Sequence, residues 1–174
     1  MKEYEEKRRF LETLLSQEER LKFDNFTYED AWEVGNELVR LATMRALPIA
    51  ATVMLGEHRV FHVALRGSSA DNNSWVDRKC RVVSRFGHSS LAVRTQYESQ
   101  GKHFDVDSHL NLREYSAYGG GFPIIVGDLR VGELGISGLA HLDDHLLAVE
   151  VLDNFMNRLK GGRLYQKTAP TSEP

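Results

Sequence analysis

Residues 118–152, YGGGFPIIVGDLRVGELGISGLAHLDDHLLAVEVL, carry the pattern on which the fold turns. Phe122 to Val126 is a short apolar run, Gly127-Asp128 is turn chemistry, and Leu129 to Ser137 continues in strand texture. With Glu114 to Tyr118 (EYSAY) ahead of the triple glycine, three strands are predicted in this part of the chain. Asp143 or Asp144 can cap a last helix whose Val149, Leu152, Met156 and Leu159 form an apolar seam, ended by Gly161-Gly162.

Upstream, Thr27 with Asp30 three residues later reads as the start of a helix. Its face is Tyr28, Ala31, Trp32, Leu38, Val39, Ala42 and Ala46, and Pro48 stops it. Ile49, Ala51, Val53 and Leu55 alternate, as do Phe61, Val63 and Leu65 beyond the turn Gly56 to Arg59, which together spell a hairpin. The turn-forming run Gly67 to Asn73 opens a helix with Trp75, Val76, Cys80, Val83 and Phe86 on one face, closed by Gly87. Ser89 or Ser90 caps a shorter helix to about Gln100, and Gly101 to Asn111 reads as a loop. Near the start, Phe10, Leu11, Leu14 and Leu15 form a narrow helical stripe suited to covering a neighbouring subunit.

The order helix, helix, two strands, helices, three strands, helix lacks the βαβα alternation of a doubly wound sheet. It predicts an α+β fold, a three-layer α/β/α sandwich around a five-stranded antiparallel sheet. The expected organisation is an N-terminal helical arm (1–20), a single domain (21–160) and a disordered tail (161–174).

A chain of 174 residues suits one domain on the prior of ~100–200 residues each. The balance of 22 Lys+Arg against 25 Asp+Glu offers no bulk attraction to nucleic acid or to an anionic membrane. No stretch is apolar enough for a membrane span, and MKEYEEKRRF lacks the apolar core of a signal peptide. Cys80 is the single cysteine, so no intrachain disulfide forms, and the expected compartment is the cytoplasm.

Neither the Walker spacing nor a G-x-G-x-x-G fingerprint occurs, and Leu139 stands where a G-x-S-x-G elbow around Ser137 needs glycine. No catalytic residue is assigned. Gly119-Gly120-Gly121 serves either a turn or the close approach of a ligand. His141 and His145 are four apart, a spacing that metals or haem use when both lie on one helix, but His141 precedes the expected cap. Cys80 reads as a small core hydrophobe, and Arg78, Lys79, Arg81 and Arg85 as a basic band, solvated or anchoring carboxylates.

The stretch 118–152 resembles the GG-x-P-I, G-x-x-G-V-S-G-L and (E/D)-D-H signature of the HbpS/GlcG-like haem-degrading-domain superfamily. Residues 61–90, FHVALRGSSADNNSWVDRKCRVVSRFGHSS, resemble the F-H-x-A-L-x-G, N-x-x-W-x-x-R-K and R-F-G-x-S-S blocks of an uncharacterised branch of it. His141 departs from the glutamine usual in that branch. The resemblance implies a profilin-like fold, a homo-oligomer and a small-molecule ligand, with haem as the candidate cofactor. The ligand site it implies comprises Gly119, Gly120, Gly121, Phe122, Pro123, Ser137, Asp144 and His145. His145 would hold the iron, and Arg78, Lys79 and Arg81 would pair with propionates. The competing expectation is a non-enzymatic assembly or adaptor protein without cofactor, in which the same glycines and the Asp144-His145 pair are structural.

Overall fold

The structure, a computed structural model, describes residues 2–168. The elements are α1 (Lys2–Arg20), α2 (Tyr28–Met44), β1 (Ala50–Leu55), β2 (His58–Ala64) and α3 (Ala70–Phe86). Then follow α4 (Ser90–Ser99), α5 (Phe104–Asp107), β3 (Gly121–Val126), β4 (Leu129–Ser137) and α6 (His141–Thr168). The strands form one antiparallel sheet in the order β2-β1-β4-β3. Alternation along the strands divides the sheet's two faces. Ala51, Val53, Leu134 and Ile136 join Val34 and Leu38 of α2 and Leu152 and Phe155 of α6 in the main core. On the opposite face Gly135 lies under Val76 and Cys80 of α3, with α4 and then α1 packed beyond.

Local chemistry explains the helix ends. The capping box expected at Thr27 is present: Thr27 Oγ1 accepts from Asp30 N–H, and Asp30 Oδ2 from Thr27 N–H. Gly87 closes α3 at φ 75°, and Ser89 Oγ accepts from Ala92 N–H at the start of α4.

The sheet has four strands, not the five expected. EYSAY is held instead by helical neighbours. Ser116 N–H donates to Arg78 O, Arg81 Nη1 to Glu114 O and Ser90 Oγ to Tyr118 O. The outer edge of β3 is partly occupied by Phe23, whose N–H donates to Ile125 O. The expected loop 101–111 contains the short helix α5, anchored by the buried Phe104. Helix α6 begins at His141, ahead of both candidate caps, and continues through Gly161-Gly162; residues 169–174 lie outside the described residues.

Helix α1 corrects a further expectation. Leu14 is buried within the same chain against Leu91 and Ala92 of α4, with Leu11 beside it, so this part of the stripe is not left for a neighbour. Glu18 fastens the helix: Oε1 accepts from Ser89 N–H and Oε2 from His88 Nδ1–H, both at 2.7 Å. Among the described residues no helix is long and apolar enough to cross a membrane.

Candidate functional site

The segment before β3, the corner between β4 and α6, and the buried face of α3 meet at one end of the sheet. The three glycines let these backbones close on each other. A Cβ on Gly119 would lie 2.2 Å from His141 O, one on Gly120 2.3 Å from Ile136 O, and one on Gly121 2.9 Å from Lys79 O. Gly120 also has φ 121°, a conformation that L-residues avoid.

Lys79 and Asp144 bind the junction together. Lys79 Nζ donates to Asp144 Oδ2 at 2.8 Å and to Ile136 O at 2.9 Å. Asp144 Oδ1 accepts from Leu139 N–H at 3.1 Å, and its carboxylate also accepts from Gly138 N–H. The lysine is 2% exposed and the aspartate 1%. Burial pushes the lysine down and the carboxyl up, while each partner draws the other back toward its charged form.

A cleft of about 330 Å³ opens beside this pair. Its walls include Trp75 and Tyr118, edge to face at 5.7 Å, and His141, edge to face with Tyr118 at 5.5 Å. Asn72, Ser137, Lys79 and Asp144 supply the polar groups, and Gly138 and Leu139 complete the lining. Arg78 stacks its guanidinium 3.8 Å from the Trp75 ring centre, and Arg94 lies 4.4 Å from that of Tyr118. His141 Nδ1 is buried without a partner. Burial, then the charges of Arg94 and Lys79, lower the His141 pKa and favour its neutral imidazole.

Of the residues assigned to the ligand site from sequence, the structure brings Ser137, Lys79 and Asp144 together in the cleft. Gly119, Gly120 and Gly121 pack against protein backbone and side chains, Phe122 is in the core, and Pro123 is buried in β3 opposite Glu133. The basic band does not converge: Lys79 turns inward, whereas Arg78 and Arg81 donate to Leu112 O and Glu114 O. His145 does not line the cleft. It is 1% exposed, its ring centre is 5.7 Å from that of Phe122, and its Nε2–H faces Gln17 Oε1 at 2.9 Å. Cys80 is buried, and burial raises its thiol pKa, as suits a core side chain.

Asn72, Trp75 and Tyr118 line the cleft although the sequence reading assigns none of them to the ligand. Asn72, Trp75 and Lys79 recur at i, i+3 and i+7, one face of a helix, which is the signal that could have found the first two. Tyr118 and His141 come from outside that helix and meet only through tertiary packing. Among the described residues no group of three His, Cys, Asp or Glu side chains is arranged to hold a metal ion.

The buried His145 has a pH consequence. Burial lowers its pKa from 6.5 to about 4, so the folded protein holds it neutral where the unfolded chain would protonate it. Its contribution is full above the unfolded value and is lost as pH falls from about 6.5 toward 4, roughly 3 kcal/mol in all. His88 acts in the opposite sense: its bond to Glu18 raises its pKa, giving stability below the unfolded value that is lost as pH rises through the folded one. Half-exposed, it contributes less. Denaturant unfolding of wild type and His145→Gln between pH 7 and 4 should show the wild-type advantage falling by about 3 kcal/mol. Parallel pH profiles would contradict it.

Comparison with known proteins places this geometry. The profile of the family described as "Haem degrading protein HbpS-like" matches residues 26–153. A UPF0303 protein of Streptomyces avermitilis is 47% identical over 146 residues, covering 83% of this chain and 90% of the relative. The crystal structure of Ybr137w protein superposes with TM-score 0.77 at 32% identity, covering 85% of this chain and 88% of that one. The crystal structure of a PduOC:heme complex shares the fold at TM-score 0.64 and 15% identity, covering 74% of this chain and 93% of that one. With the strands, the glycine junction and the start of α6 all inside the matched region, the chain belongs to the HbpS-like haem-degrading protein family.

Proposed function

We propose that this chain is a cytoplasmic, homo-oligomeric ligand-binding protein whose cleft beside Lys79 and Asp144 receives haem. The observation that carries the reading is His141, an imidazole kept neutral by burial and neighbouring cations, lining a cleft whose wall includes the packed Trp75 and Tyr118 rings. These residues fit the group. A neutral imidazole is an iron ligand, and aromatic rings can contact the macrocycle. The volume lies at the small end of ligand sites, so a porphyrin would enter by one edge and extend past the rim. Bound haem would supply iron and redox chemistry; the protein's part is to ligate, orient and shield it. The iron ligand in this reading is His141, because His145 is enclosed by Gln17 and Phe122.

Self-association is supported by apolar surface. Trp32 is 58% exposed, edge to face with Phe61 on the sheet-edge strand β2, and Tyr28 is exposed beside it. Phe10 and Leu15 add exposed apolar area on α1. Burying such surface between identical subunits favours a symmetric oligomer. The same shelf favours the assembly or adaptor reading, which differs in requiring no cofactor.

Titration with micromolar haemin should shift the Soret band in the wild type, and His141→Ala should weaken binding and change the band position. No shift with wild-type protein would remove the haem reading, and an identical band in the variant would remove the ligand assignment. Light scattering should return at least twice the chain mass; a monomer would contradict self-association.

A further inference from the structure

We infer that the inner end of the cleft is a carboxylate-binding subsite, where Asn72 Nδ2, Ser137 Oγ and Lys79 Nζ donate to the oxygens of an anionic ligand. The inference rests on the reading that the cleft is the ligand site, and it adds the chemical class that the site selects.

Hydrogen-bond accounting supports it. Asn72 Oδ1 accepts from Ser69 N–H at 2.8 Å in the capping box of α3, which fixes the amide and turns its NH₂ toward Ser137. One N–H reaches Ser137 Oγ at 3.4 Å; the other has no partner among the described residues. Ser137 is 5% exposed, and among the described residues no acceptor takes its hydroxyl hydrogen. The Lys79 ammonium has three N–H groups, of which Asp144 and Ile136 O occupy two.

The acceptors beside Lys79 are already engaged. Asp144 receives Lys79, Leu139 N–H and Gly138 N–H, and Ile136 O receives Lys79. Three side chains lining one cleft thus retain spare donor capacity beside occupied acceptors. A carboxylate complements that set, since it only accepts and has about four lone-pair sites. Trp75 and Tyr118 suit a flat apolar body attached to the carboxylate. A free aromatic acid and the propionate arm of a porphyrin share this chemistry.

The probes are benzoate against its neutral isostere benzamide, by calorimetry, and haemin against haemin dimethyl ester, by absorption. Benzoate should bind about tenfold tighter than benzamide. Asn72→Asp keeps an acceptor for Ser69 N–H but replaces the donors with negative charge, so benzoate affinity should fall about tenfold or more while the melting temperature holds. Ser137→Ala should lower it several-fold, a second route should the first variant lose stability. If a propionate is the occupant, haemin should bind about tenfold tighter than its ester and benzoate should compete with it. A free acid as occupant predicts benzoate binding with haemin and its ester alike.

Equal affinity for benzoate and benzamide together with equal affinity for haemin and its ester would overturn the subsite. Wild-type benzoate affinity in both variants would do the same. Failure of the haem reading alone appears differently: no Soret shift with haemin, yet benzoate binding that Asn72→Asp abolishes. Binding of neither probe overturns both.

Discussion

The buried ion pair between Lys79 and Asp144 is the constraint on which the rest of the site depends. Two charges that are almost wholly out of water are tolerated only when paired and hydrogen-bonded, and here each is. The lysine comes from the middle of α3 and the aspartate from the first turn of α6, on opposite sides of the sheet's end. Their contact fixes the β4–α6 corner, because Asp144 also holds the N–H groups of Gly138 and Leu139. A neutral pair could fill the space, but a charged pair penalises any arrangement that separates it.

The backbone must approach closely for that contact to form, which gives the glycines their physical role. Gly120 sits where a Cβ would lie 2.9 Å from Lys79 Nζ and Asp144 Cβ, and Gly138 at φ 146° lies where one would meet Pro48 O. The junction is therefore tight, and the cleft is the space left between it and the aromatic side chains that flank it. Helix α1 closes the structure from outside through Glu18 on α4 and Gln17 on His145. The histidine next to the ion pair thus serves packing, while the one a turn earlier lines the opening.

Much of this was legible in the sequence where the signal is local. The Thr27 capping box, the Gly87 stop, the first hairpin and the strands on either side of Gly127-Asp128 follow from turn chemistry and alternation. The expected fifth strand did not form, because EYSAY alternates weakly and its backbone finds partners on α3 and α4. Lys79 within RKCR reads as one charge in a band; only the helix phase, with Asn72 and Trp75 on the same face, distinguishes it. That Asp144 neutralises it across 65 residues of sequence is a fact of tertiary structure with no local trace. Of the residues that line the cleft, the motif resemblance assigned Lys79, Ser137 and Asp144 to a ligand, but not Asn72, Trp75 or Tyr118.

The glycine junction, the ion pair and the cleft all lie within residues 26–153, the stretch that matches the HbpS-like family. The ion pair holds this junction, and a double-mutant cycle on unfolding free energy measures how strongly. Lys79→Met and Asp144→Asn each leave one buried charge uncompensated and should cost about 3–5 kcal/mol, while the double variant, with neither charge, should be more stable than either single one. Losses that simply add, or single variants within about 0.5 kcal/mol of wild type, would contradict the account.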